Sequence, residues 1–157
     1  MKEIEKQDRV RVVGLFPDVV THESAIAKVA ELAKKGGGYV CFSTVHMAME
    51  SYDDPAFAKI VNGADLIVTD GMPIVWMQRL QGKKAASRVR ANDLMIMLCA
   101  FCERNDLSVG FYGGRPEVID QIRARAKRFP ETARRLRVFA AVSGFERRGR
   151  YRYCRRN

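Results

Sequence analysis

The sequence predicts an α/β protein with a mostly parallel sheet covered by helices on both faces. Three observations predict it. Short runs rich in β-branched residues alternate about five times with stretches whose apolar residues recur at helical spacing, the pattern of strands joined by crossover helices. Some of these runs are continuously apolar rather than alternating, as strands buried on both faces require, and Leu66-Ile67-Val68 is the clearest. At 157 residues with 47% hydrophobic side chains, the chain has the size and composition of one domain with a sizeable core.

Each element has a local cause. Arg9 to Phe16 is rich in valine and ends at Pro17, which predicts a first strand. Thr21 is positioned to cap a helix in which Ala25, Ile26, Val29, Ala30, Leu32 and Ala33 share a face until Gly36-Gly37-Gly38 stops it. Those glycines follow a helix and precede a strand, the reverse of the order that aims a helix N-terminus at phosphate, so they read as helix termination. Tyr39 to Thr44 predicts a second strand and Val45 opens a helix, leaving Ser43, Thr44 and His46 at a strand's carboxyl edge. There the hydroxyls serve either a ligand or the helix cap, and His46 either a ligand or a local hydrogen bond. Asp54-Pro55 is a cap followed by proline at the first helical position, predicting a short helix over Ala56 to Val61 that Asn62-Gly63 ends.

The segment Ala64 to Trp76 organises the rest. The buried-strand run ends at Asp70, Gly71 allows a tight turn, and Met72 to Leu80 carries apolar residues at helical spacing. A carboxylate at that strand tip faces the crevice where open α/β sheets bind ligands, and there it can act as a general base. The plainer reading, that Asp-Gly is a turn dipeptide, stands beside it. Gln81 to Ala91 is a loop carrying Lys83, Lys84, Arg88 and Arg90, either near a phosphate or simply solvated. Asn92 is positioned to cap a helix from Asp93 to Glu103, and the nearly continuous apolar run Leu94 to Cys102 predicts deep burial. Leu107 to Tyr112 is the next strand. Gly113-Gly114 then leads into a helix over Pro116 to Phe129, an order that lets backbone amides approach an anion, and Leu136 to Val142 is a last strand. The glycine pair lacks the full dinucleotide fingerprint and has no lysine with serine or threonine after it to make a P-loop.

The net charge of +10 suggests an anionic partner, but half of it sits in the last dozen residues, where Glu146 to Asn157 holds six arginines against one glutamate. Nucleic acid is therefore a weak inference. Tyr151 and Tyr153 among those arginines suit contact with anionic lipid headgroups or single-stranded nucleic acid, while a solvated, disordered terminus is the plainer account. Cys41, Cys99, Cys102 and Cys154 have no disulfide framework spacing, and no zinc ligand set is completed around them. No run approaches the ~20 apolar residues of a membrane helix, and Met1 to Arg11 lacks the apolar centre of a signal peptide, so a cytoplasmic protein is expected.

With those residues placed, the chain from Val10 to Val142 resembles the WecG/TagA/CpsF family of bacterial glycosyltransferases. The carrying features are Asp54-Pro55-Ala56-Phe57, then Asn62-Gly63-Ala64-Asp65-Leu66-Ile67-Val68-Thr69-Asp70-Gly71-Met72-Pro73, then Arg88-Val89 with Asp93-Leu94, then Phe111-Tyr112-Gly113-Gly114 before a helix. The resemblance implies a single Rossmann-like domain over residues 1–143 and a basic tail over 144–157. It implies inverting transfer of a sugar from a UDP-sugar to a polyprenyl-diphosphate-linked acceptor in cell-surface polysaccharide synthesis, such as teichoic acid linkage units or exopolysaccharide, with no metal or cofactor. The work would be done peripherally at the inner face of the bacterial plasma membrane. In the same terms Asp70 is the catalytic base, with Arg88 near the donor phosphates and Asp93 as loop organiser. Gly113 and Gly114 approach the nucleotide. Beside these, Thr44, His46 and Gly71 are substrate-binding candidates by their place at the strand tips.

The chain also departs from the family. Phe42 and Thr44 stand where a Thr-x-Asn is common, and Ala91 where a glycine is common before Asp93. The family's final third, with its Gly-x-Pro-x-Gln-Glu segment, is not matched, and the arginine-rich Gly144 to Asn157 stands in its place. A truncated, non-catalytic nucleotide-sugar-binding remnant is thus one alternative, and an anionic-surface or nucleic-acid binder acting through the tail is another. An incomplete domain exposes apolar surface, which favours a homo-oligomer.

Overall fold

Two short strands, β1 (Val40–Ser43) and β2 (Leu66–Thr69), pair in parallel with Val40 opposite Leu66 and Ser43 opposite Thr69. The computed structural model describes residues 8–112, 115–126 and 136–139. The chain divides into two units, Met1–Phe101 and Cys102–Asn157. All four residues of β2 are buried, which is why its run is continuously apolar rather than alternating.

In the first unit, helices cover both faces of this pair. On one side Leu66 and Val68 pack with Val20, Ala25, Val89 and Leu94, supported by Val29 of α1 (His22–Lys35) and Leu98 of α5 (Ala91–Arg104). On the other side Cys41 packs with Leu15 of the N-terminal segment, Ala48 of α2 (Val45–Asp53) and Val61 of α3 (Pro55–Asn62). Burial there pushes the Cys41 thiol above its ordinary pKa. The helix α4 (Met72–Leu80) follows β2, and its buried Gln78 meets the Thr69 hydroxyl at 3.4 Å.

Four helix starts follow their local signals. Thr21 and Ser24 form a reciprocal capping box on α1, which ends at Gly36 in the left-handed conformation (φ 98°). Thr44 caps α2 by accepting from the Met47 amide, and the Asp54 carboxylate caps α3 by accepting from Ala56 and Phe57, with Pro55 in the first turn. The start of α4 is at Met72, directly after the Asp70-Gly71 corner.

Two expectations need correction. Arg9 to Phe16 is not a strand of the sheet. Val12 and Leu15 exchange hydrogen bonds at 2.8 and 3.0 Å across a tight reversal in which Val13 takes φ 56°, and Arg9 pairs antiparallel with Asp18. Gly14 makes the reversal fit, because a Cβ there would lie 2.6 Å from the backbone of Ser51 and Tyr52 in α2. Valine content is satisfied by folding back, which buries Val10, Val12 and Leu15 on one short hairpin. The helix α5 also differs from its expectation: it begins at Ala91, so Asn92 lies inside it, and only Leu94 is fully buried, while Ile96 is 66% exposed. One face packs on the sheet and the rest of its apolar surface does not.

The second unit contains β3 (Val109–Tyr112), α6 (Pro116–Ala126) and β4 (Leu136–Phe139), with β3 and β4 parallel and Val109 opposite Leu136. Mixed α/β structure with parallel pairing is thus as expected, in two separate pairs among the described residues. Gly113, Gly114, Cys154 and the tail 144–157 lie outside them. Among the described residues no helix is long and apolar enough to cross a membrane.

Candidate functional site

The carboxyl edge of the β1–β2 pair is built by backbone pairing that continues one residue past the strands. The Asp70 amide donates to Ser43 O at 2.9 Å, and Thr69 O accepts from the Val89 amide at 2.8 Å. Val89 and Ala86 are buried, and the Ser87 hydroxyl donates to Val20 O at 2.9 Å, so the basic loop is anchored on both sides of Arg88. This anchoring brings Arg88 to Asp70 from 18 residues away.

Both carboxylate oxygens of Asp70 accept. Oδ1 receives Arg88 Nη2 at 3.3 Å and Nε at 3.4 Å, and Oδ2 receives the Ala91 amide at 3.1 Å. Ala91 is the first residue of α5, so Asp70 caps that helix from a distant point in the chain and sits at its positive end. The Asp70 side chain is 20% exposed and that of Arg88 41%, so the pair is partly open to solvent.

Thr44 and Gly71 flank this corner. A Cβ at Gly71 would lie 3.9 Å from Thr44 Cα and 3.8 Å from the Val45 nitrogen, which brings the starts of α2 and α4 together beside Asp70. Counting α5, three helix N-termini therefore meet at one strand edge, each with amide donors at its positive end. This is a surface suited to phosphate oxygens, with a carboxylate able to accept a proton beside it.

Of the sequence-predicted site residues, Asp70, Arg88, Gly71 and Thr44 are brought together. His46 turns back on its own helix, with Nε2 3.3 Å from Glu50 Oε1 and the side chain 83% exposed. Asp93, on the first turn of α5, faces Arg90 Nε at 3.8 Å, with both side chains about half exposed. Gly113 and Gly114 lie outside the described residues. Among the described residues no group of three or more His, Cys, Asp or Glu side chains gathers as a metal site.

Sequence reasoning missed the support beneath this edge. Asp18, its side chain fully buried, accepts from the Ile67 amide at 2.7 Å and from Arg9 Nε at 3.0 Å, closing the outer side of β2. Gln78 Nε2 donates to Pro17 O and Asp18 O at 3.3 and 3.4 Å. A lone glutamine at a buried position of the apolar α4 pattern was the available signal; nothing local marked Asp18.

A family model described as "Glycosyl transferase WecG/TagA/CpsF family" matches residues 10–150. The N-acetylglucosaminyldiphosphoundecaprenol N-acetyl-beta-D-mannosaminyltransferase of Bacillus spizizenii is 29% identical over 100 residues, covering 63% of this chain. The matched segment spans 39% of that relative's length.

Proposed function

Since the chain belongs to the WecG/TagA/CpsF glycosyl transferase family, we propose that it transfers a sugar, with inversion, from a UDP-sugar to a polyprenyl-diphosphate-linked acceptor in cell-surface polysaccharide synthesis. The acceptor hydroxyl loses its proton to Asp70 as its oxygen bonds the anomeric carbon. The bond from that carbon to the diphosphate oxygen breaks, and its electron pair leaves with UDP. The departing diphosphate needs compensating positive charge, which Arg88 and the amides starting α2, α4 and α5 can provide.

One observation carries the reading: the Asp70 carboxylate stands at the β2 tip between Arg88 and the α5 N-terminus, with Thr44 and Gly71 alongside. The same proposal includes a Rossmann-like fold over residues 1–143 with 144–157 as a basic tail, supported by the parallel pairing in each unit. Work at the inner face of the plasma membrane, without a metal or cofactor, belongs to it as well.

Steady-state UDP release with a soluble lipid-linked acceptor analogue tests the reaction. Asp70→Asn should abolish turnover, and a variant as active as the parent would end the assignment. A second reading, nucleotide-sugar binding without transfer, draws on the engagement of both Asp70 oxygens within the protein. Calorimetry with UDP separates the two, since binding without turnover supports the second.

A further inference from the structure

Arg88 meets Asp70 from the segment joining α4 to α5, which contains neither helix nor strand, so its place depends on what ties that loop down. After Arg88 the ties are made by backbone amides. Val89 donates to Thr69 O at 2.8 Å and Ala91 to Asp70 Oδ2 at 3.1 Å. Before Arg88 they are made by side chains. Arg79, in the last turn of α4, donates from Nε to Ala86 O at 3.0 Å, and Ser87 donates from Oγ to Val20 O at 2.9 Å. Ala86 is itself buried, and Val20 belongs to the same core as Val89, Leu66 and Val68. The two residues that precede Arg88 are thus fastened to α4 on one hand and to the segment entering α1 on the other. Fixing an arginine gives up much rotamer freedom, a cost that a loop serving only to connect two helices does not require.

We propose that Arg79 and Ser87 are positioning residues for Arg88, holding the backbone of residues 86–88 so that the guanidinium is set against Asp70 before a ligand arrives. Positive charge fixed in advance costs no reorganisation as the bond to the leaving diphosphate breaks, whereas an arginine on a free loop has first to be ordered. The role rests on the transferase reading for what Arg88 does and adds how Arg88 comes to be in place. Arg79 acts here through the loop carbonyl that its Nε holds and Ser87 through the Val20 carbonyl, neither through contact with substrate.

A double-mutant cycle on the full chain tests it. Arg79→Met keeps the aliphatic stem and removes the donor, and Ser87→Ala removes only the hydroxyl. Each should weaken UDP binding in calorimetry, and lower kcat for UDP release, about fivefold, with the KM for a soluble lipid-linked acceptor analogue unchanged. In an Arg88→Ala background either change should have an effect of less than about twofold, because nothing remains to be positioned. Ser87→Thr retains the hydroxyl and should recover the parental values. Effects that persist at full size without Arg88 would overturn the proposal, since they would reveal a general loss of structure or, for Arg79, direct contact with phosphate. Single variants that match the parent would overturn it too. The Ser87 arm decides the matter by itself if Arg79→Met does not fold. Because UDP affinity completes the cycle without turnover, coupling in affinity with no transfer by the parent rejects the transferase reading alone, and transfer with an additive cycle rejects the positioning role alone.

Discussion

Asp70 carries two burdens that substitution can separate. Its Oδ2 caps α5 through the Ala91 amide at 3.1 Å, and its Oδ1 meets Arg88 at 3.3 Å. Removing a helix cap costs about 0.5–2 kcal/mol. A partly exposed ion pair adds at most about 1 kcal/mol, because water screens it. Asp70→Ala should therefore lower stability by about 0.5–3 kcal/mol. Asp70→Asn keeps a carbonyl oxygen for the Ala91 amide and should cost about 1 kcal/mol or less, yet it removes the proton acceptor and should lower turnover by about 100-fold or more. Urea unfolding followed by Trp76 emission and far-UV circular dichroism measures the first effect as a shift in midpoint at unchanged slope, and UDP release measures the second. An alanine variant as stable as the parent would refute the capping role. An asparagine variant within a few-fold of parental turnover would refute the base.

Asp18→Ala should destabilise the first unit by about 3–5 kcal/mol, since it leaves the Ile67 amide without its buried acceptor and Arg9 without its partner; a loss under about 1 kcal/mol in urea unfolding would contradict that account. Gly14→Ala forces a methyl to within 2.6 Å of the α2 backbone and should cost about 1–3 kcal/mol by the same assay. Arg88→Ala should weaken UDP binding about tenfold in calorimetry, as loss of a charge-assisted contact to phosphate does. Burial raises the Cys41 and Cys102 thiol pKa values, so less thiolate is present at a given pH. Both should alkylate more slowly than a free thiol at mildly alkaline pH, with the rise in rate displaced to higher pH, and peptide mass spectrometry should show the difference vanish in denaturant.

The elements with a local cause could be read directly from the amino acids. The capping of α1, α2 and α3 by Thr21, Thr44 and Asp54 needs only neighbouring residues, and α4 spans Met72–Leu80 because the strand run before it breaks at Asp-Gly. Family membership was legible for a related reason: the order and spacing of several short motifs survive in one dimension. Three features were not legible. Val12 and Leu15 close a hairpin where valine content suggested a strand, because space against α2 decides the path and composition does not. The start of α5 moved to Ala91 because its cap comes from Asp70, 21 residues earlier, rather than from Asn92 beside it. Asp18 seals the edge of β2 across 49 residues. Hydrogen bonds within a few residues are set by the local sequence, whereas those closing the corner at Asp70 depend on which segments pack together, and that the tertiary structure alone decides.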